Sequence, residues 1–215
     1  MIVDNPDLQE TLRRAIADGD YAPGSKLVER ELTLRYDVGR TKVRDALRHL
    51  SAEGIVELTE NRGARVRELD YEETLNIYQV RAVLEGLAGE LFAIRGSADA
   101  KVHFAEALPP IRDAIEAGDV TRALRAADRF YALLLDGAGN PELHRTVDRL
   151  HVRISQARRV SLSATDQGAA TVRSLQRIVD AVLGGDSGEA GRACAAHVKG
   201  AAAATLPLLA IRRQE

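Results

Sequence analysis

Apolar residues recur at three- and four-residue steps along most of the chain, which predicts helices broken by short polar or glycine-containing links. The first helix spans residues 6–18, with Asn5 as its cap, Pro6 at its first position and Leu8, Leu12, Ala15 and Ile16 inward. Gly19 stops it, and the turn-rich Asp20–Ser25 follows. Residues 28–36 predict a second helix with Val28 and Leu32 inward. After a break at Asp37–Gly39, residues 40–53 predict a third, whose stripe is Val43, Ala46, Leu47 and Leu50. Arg40, Lys42, Arg44 and Arg48 lie off that stripe, so the helix packs on one side and presents cations on the other.

Beyond Gly54 the period changes. Ile55–Leu58 and Ala64–Arg67 alternate like strands, and the link at 59–63 contains a glycine, so they predict a hairpin. From Asp70 onward the pattern is helical again. Leu84, Leu87, Leu91 and Ile94 repeat along one helix, capped by Asp70 and ended at Gly96. A helix from Ser97 or Asp99 to Glu116 carries Pro109 and Pro110 as a bend. Further helices are predicted at 120–135, 142–161 and 171–183, with Asn140 capping the second of these. A last one, from Asp186 or Ser187, has the stripe Ala190, Cys194, His197 and Ala201. The expected fold is mainly α: a winged helix-turn-helix over 1–69, then an all-helical bundle of six to seven helices over 70–215.

Composition narrows the function classes. The 215 residues are 45% hydrophobic and 4% aromatic, with no tryptophan, which favours helix and permits a real core. A formal charge of −2 gives no global nucleic-acid footprint, so local clustering on the third helix must carry any such reading. The single cysteine, Cys194, rules out an intrachain disulfide and reads as a small buried apolar residue. The N-terminus lacks the basic and apolar runs of a signal peptide, and no apolar stretch approaches the roughly 20 residues of a membrane span. A cytoplasmic protein is expected. No nucleophile elbow, phosphate loop or HExxH occurs, and His49, His103, His144, His151 and His197 are scattered, so no enzyme is expected.

Two short helices joined by a tight turn, the second basic, is the arrangement that sets a helix in the DNA major groove. The run PGSKLVERELT, then VGRTKVRDAL, LSAEGIVE and RGARV resembles, in order and spacing, the GntR family winged-helix domain. The resemblance implies DNA contacts by Arg30, by Arg40, Thr41 and Arg44 on the recognition helix, and by the wing-tip Gly63, with Arg62 beside it. Gly39 and Lys42 stand where the family usually has Ser and Pro; Lys42 adds a cation for phosphate. The competing reading of these arginines is a solvated face, with Arg40 or Arg44 pairing Asp45 and Arg48 pairing Glu53.

The segments TLNIYQVRAVLEGLAGELFA, ADRFYALLLDGAGNPEL and SLQRIVDAVLGGDSGEAGRACAAHV are similar to the FadR-type (FCD) ligand-binding domain of the same family. That similarity implies a homodimer on a pseudo-palindromic double-stranded DNA operator, controlled by a small organic-acid-like effector in the bundle. Many members also hold a divalent metal on one aspartate and three histidines. Here Ala127, Tyr131 and Leu175 fall at three of those positions and only His197 remains, so no metal is expected. Asp128, one residue off, would serve only if the helix shifted register. Arg81 matches the family's arginine for a carboxylate and equally fits an i,i+4 pair with Glu85. Tyr131, Asn140 and His197 are the other effector candidates, against core, cap and core readings respectively.

The reading is a ligand-controlled transcriptional regulator of the repressor type. A helical-bundle enzyme and a ligand-independent architectural DNA-binding protein are the alternatives.

Overall fold

A computed structural model describes residues 7–59, 63–162 and 167–212. The chain divides into two compact units, residues 1–69 with 151–156, and residues 70–150 with 157–215.

The first unit begins with α1 (Leu8–Ala17), whose cap is Asp7: its carboxylate accepts from the Gln9 amide at 3.1 Å. The helix thus starts later than expected, and Asn5 and Pro6 lie outside the described residues. Next come β1 (Lys26–Leu27), α2 (Glu29–Tyr36) and α3 (Arg40–Ala52). Asp37, in the left-handed conformation at φ 50°, turns the chain between α2 and α3. Then β2 (Val56–Thr59) and β3 (Gly63–Val66) complete an antiparallel sheet of order β1-β3-β2. Val56 faces Val66 and Lys26 faces Arg65 across it.

β1 was not expected, because two residues are too few to show alternation. Val28, expected inward, is exposed at the helix start. The other inward residues are buried together: Leu8, Leu12 and Ile16 meet Leu32, Val43, Leu47 and Leu50, with Val56 and Val66 closing the core from the sheet. Glu53, just past α3, receives the Gln9 amide at 2.9 Å and an Arg13 guanidinium nitrogen at 2.7 Å, which ties α1 to the end of α3.

The second unit is helical: α4 (Tyr71–Arg95), α5 (Ala98–Glu106), α6 (Leu108–Glu116), α7 (Val120–Ala138), α8 (Pro141–Arg153), α9 (Ser155–Leu162), α10 (Gln167–Gly184) and α11 (Ser187–Arg212). Two expected helices are each divided, at Ala107 and at Ile154, so the described residues hold eight where six to seven were expected. At Ala107 the prolines Pro109 and Pro110 sit in the first turn of α6, where their missing amide hydrogens cost nothing. The core joins Phe92, Phe104 and Phe130, with ring centroids 5.2 and 4.4 Å apart, to Leu134, Leu175, Val179 and Val182.

The long helix α4 packs along α11 on a face of small residues. A Cβ on Gly89 would stand 2.7 Å from Cys194 Sγ and 2.8 Å from the Ala190 carbonyl oxygen, so only glycine admits this approach. The Leu84–Ile94 stripe of the sequence therefore does not form the inner seam. Leu87 and Ile94 are exposed, as are Val80 and Val83, and Leu84 and Leu91 are half-buried.

Candidate functional site

In the first unit, the burial of Val43, Ala46, Leu47 and Leu50 fixes the rotation of α3. The same periodicity that buries them turns Arg40, Thr41, Lys42 and Arg44 to solvent. Arg30, in the first turn of α2, is exposed as well. Gly63, at the start of β3, has φ 83° and open space around it, so a backbone or a phosphate can approach there. A groove is lined by Glu29, Arg44, Leu47, Arg48, Thr59 and Gly63, so the cationic helix and the wing strands share one face of this unit. Arg62 lies outside the described residues.

The cations pair differently from the solvated-face expectation. Arg44 Nε donates to both carboxylate oxygens of Glu29 at 2.9 Å. This hydrogen bond, with the carboxylate's charge, raises the Arg44 pKa above its ordinary value. Arg48 pairs with Asp45 at 3.5 Å, and Glu53 is taken by Arg13 instead. Exposed pairs of this kind contribute little to stability and give way readily to a phosphate or a base edge.

The second unit holds a cavity of about 160 Å³. Arg81 from α4, Tyr131 from α7, Arg158 from α9, Ser174 from α10 and His197 from α11 line its polar part. Ile111, Ala123, Ala127, Leu175 and Ala201 form apolar wall. Arg81 makes the i,i+4 pair, its Nε donating to Glu85 Oε1 at 2.7 Å, and the same side chain lines the cavity. Each member of that pair is only 1% exposed. The Arg81 Nη1, also buried, has no hydrogen-bond partner among the described residues.

His197 holds both neighbours through its ring. Its Nε2 lies 2.7 Å from the Tyr131 hydroxyl and its Nδ1 2.7 Å from Ser174 Oγ. Burial is the main cause that pushes the Tyr131 phenol well above the usual tyrosine range, with the Glu85 charge adding to it. Arg158 stacks over the Tyr131 ring at 5.3 Å from its centroid and donates to Asp128 at 2.7 Å. Burial pulls the Arg158 pKa down, and Asp128 with Tyr131 more than offsets it.

Ala127, Tyr131, Leu175 and His197, the four positions where the family resemblance would place a metal's ligands, all line this cavity. Their chemistry does not fit a metal. Two have no donor atom, the phenol is held protonated by burial, and the imidazole nitrogens are both engaged. Among the described residues no three His, Cys, Asp or Glu side chains group around a common point. Asp128 is the counter-ion of Arg158.

Asn140 is not brought to the cavity: its side chain accepts from the Leu143 amide at 3.2 Å, capping α8. Arg158 and Ser174 escaped sequence reading because each comes from a polar stretch that only folding brings beside Tyr131. Cys194 is buried in the core, and its thiol pKa is pushed up by burial.

Comparison with known proteins follows the same division. Residues 7–66 match the family profile described as bacterial regulatory proteins, gntR family, and residues 76–200 match the FCD domain. The uncharacterized HTH-type transcriptional regulator YdhC of Bacillus subtilis is 25% identical over 172 residues, 80% of this chain and 77% of its own. The probable D-xylose utilization operon transcriptional repressor of Paenarthrobacter nicotinovorans is 29% identical over 204 residues, 91% of this chain and 84% of its own. Among solved structures, E. coli McbR/YncC superposes with a TM-score of 0.84 at 18% identity, over 99% of this chain and all of that one; at this identity the likeness concerns the fold.

Proposed function

Because the chain belongs to the GntR family of bacterial regulatory proteins and carries an FCD domain, we propose that it acts as a homodimeric, metabolite-released repressor. It is a DNA-binding transcriptional regulator with an effector-binding C-terminal domain, and not an enzyme. The finer reading places DNA binding in residues 1–69 and effector binding with dimerisation in residues 70–215, in the cytoplasm where the operator is. No helix among the described residues is long and apolar enough to cross a membrane.

One observation carries the DNA side: the face of α3 opposite its buried stripe is cationic and exposed, next to an open wing-tip glycine. We assign Arg40, Thr41 and Arg44 to the recognition helix's contacts, Arg30 and Lys42 to the backbone or neighbouring bases, and Gly63 to the wing. Phosphate contacts supply most of the affinity, and arginine on guanine supplies the base reading. A dimer sets two such helices about one DNA turn, ~34–36 Å, apart on a pseudo-palindromic operator. A repressor role follows the relative of Paenarthrobacter nicotinovorans, which is named a repressor.

On the effector side, Arg81, Tyr131 and His197 receive the ligand in the cavity, with Asn140 a cap only. We read the site as metal-free. An effector releases the operator only if it binds the DNA-free state more tightly than the bound one.

Fluorescence anisotropy with DNA from upstream of the gene tests this. The wild type binds with a salt-dependent affinity, and Arg44→Ala weakens binding and flattens the penalty for operator base changes, each on the order of tenfold or more. Equal affinity and equal specificity in Arg44→Ala would remove that residue from the readout. No rise in anisotropy of upstream DNA with the wild type would sink the reading of its target.

A further inference from the structure

We propose that Glu29 is a positioning residue for base reading: by holding Arg44 through its Nε, it leaves that arginine its terminal edge with which to read a guanine. This rests on the assignment of Arg44 to base contact above.

A carboxylate on a face that meets DNA is at first sight a cost. Phosphates repel it, and it lowers affinity for every duplex alike. Glu29 nonetheless lines the groove that Arg44, Arg48 and the wing's Gly63 share. Of the described cations assigned to DNA, Arg44 alone is tied; Arg30, Arg40 and Lys42 have no ion-pair partner among the described residues.

The way Arg44 is tied decides what it can still do. A guanidinium carries five N–H donors in one plane, and either its Nε side or its terminal Nη pair can meet a guanine. Both Glu29 oxygens accept from Nε at 2.9 Å, so the Nε side is taken. The terminal nitrogens have no hydrogen-bond partner among the described residues. Their parallel N–H groups match guanine O6 and N7, whereas adenine would set its N6 amino group against them. An exposed pair yields readily to a phosphate, but a guanine does not ask it to yield.

The brace also has firm ends. Glu29 belongs to α2 and Arg44 to α3, and both helices are anchored in one core, by Leu32 on the first and by Val43 and Leu47 on the second. Held between them, the guanidinium is ordered before DNA arrives; unheld, it would swing to neighbouring phosphates and bases and read less sharply. The charge of Glu29 acts in the same direction. On a sequence that lacks the guanine the arginine's bonds are lost, while repulsion between carboxylate and phosphates stays. Glu29 thus lowers general affinity and raises selectivity.

Fluorescence anisotropy on the full chain tests this with two probes. One is the tightest duplex that the wild type selects from a randomised pool, and the other is a random-sequence duplex of the same length. The base pair at which Arg44→Ala loses discrimination is the one Arg44 reads. Glu29→Ala should lose discrimination at that same base pair, on the order of tenfold, while its affinity for the random duplex rises. A merely structural role would lower both affinities together. Added to Arg44→Ala, Glu29→Ala should change that discrimination no further, because it acts through the arginine.

The proposal is overturned if Glu29→Ala keeps wild-type discrimination or if its affinity for the random duplex falls. It is overturned as well if Glu29→Ala alters base preference in the Arg44→Ala background, which would make Glu29 itself a reader of bases. If Arg44→Ala keeps every preference of the wild type, the assignment of Arg44 fails and this proposal with it. Discrimination lost in Arg44→Ala but retained in Glu29→Ala removes the brace alone.

Discussion

Tyr131 shows how one side chain changes what a site can do. Its hydroxyl is buried against His197 and is kept neutral, so it donates and accepts hydrogen bonds where an imidazole would bind a metal. Because the folded pKa lies above the ordinary value of about 10, the fold favours the protonated phenol. The stability this group contributes is complete below pH ~10 and is lost as pH rises through the folded value. Tyr131→Phe should therefore melt with a shallower loss of stability above pH ~10, by about 1.4 kcal/mol per pH unit relative to wild type. Urea melts between pH 9 and pH 11 read this, and parallel slopes would show that the phenol ionises freely in the fold. Sequence reading reached Arg81, Tyr131 and His197 because the resemblance supplied their register. It missed Arg158, and it paired Arg44 within its own helix, whereas Glu29 holds it from fifteen residues earlier.

Among the elements, α4 departs furthest from expectation. Its leucine and isoleucine stripe is hydrophobic by sequence, yet α4 meets α11 through Gly86, beside Gly191 and Ala195, and Gly89, beside Ala190 and Cys194. Hydrophobicity marks a face that shuns water, but it does not say which of two faces meets the neighbouring helix. Close backbone approach selects small residues, and the larger ones are left for another surface. Gly89→Ala should cost about 1–3 kcal/mol, since the added methyl meets Cys194 and the Ala190 carbonyl and forces the two helices apart. Denaturant unfolding measures the cost, and an unchanged midpoint would mean α11 shifts freely. Elsewhere the elements were legible wherever a periodic stretch was long. The boundaries at Asn5, Ala107 and Ile154 were not, because capping and helix breaks depend on one or two local hydrogen bonds.

For the whole molecule, the unpartnered stripe of α4 bears on assembly. Val80, Val83, Leu87 and Ile94 are exposed and, with the half-buried Leu91, lie within about 80° of one another on the helix. That is the seam two copies of this helix would share in the homodimer proposed above. Val83→Glu should raise the dimer dissociation constant at least tenfold and lower operator affinity, because two half-sites would no longer be held together. Light scattering across a concentration series checks the first effect and anisotropy the second. A dimer as tight as wild type would move the interface to another surface. The net charge of −2 shows why DNA binding had to be sought locally: the cations that matter are concentrated by the rotation of one helix.

By itself the sequence determined the helices, their approximate ends, the hairpin, and the split between the apolar and cationic sides of α3. All of these follow from residues within a few positions of one another, whose spacing along a helix or strand is set by backbone geometry. Tertiary structure alone decided which face of α4 is covered. It also decided that Arg81, Tyr131, Arg158, Ser174 and His197, drawn from five helices, meet around one cavity. Their encounter depends on how closely the helices approach and in what rotation, which is settled by packing among distant residues.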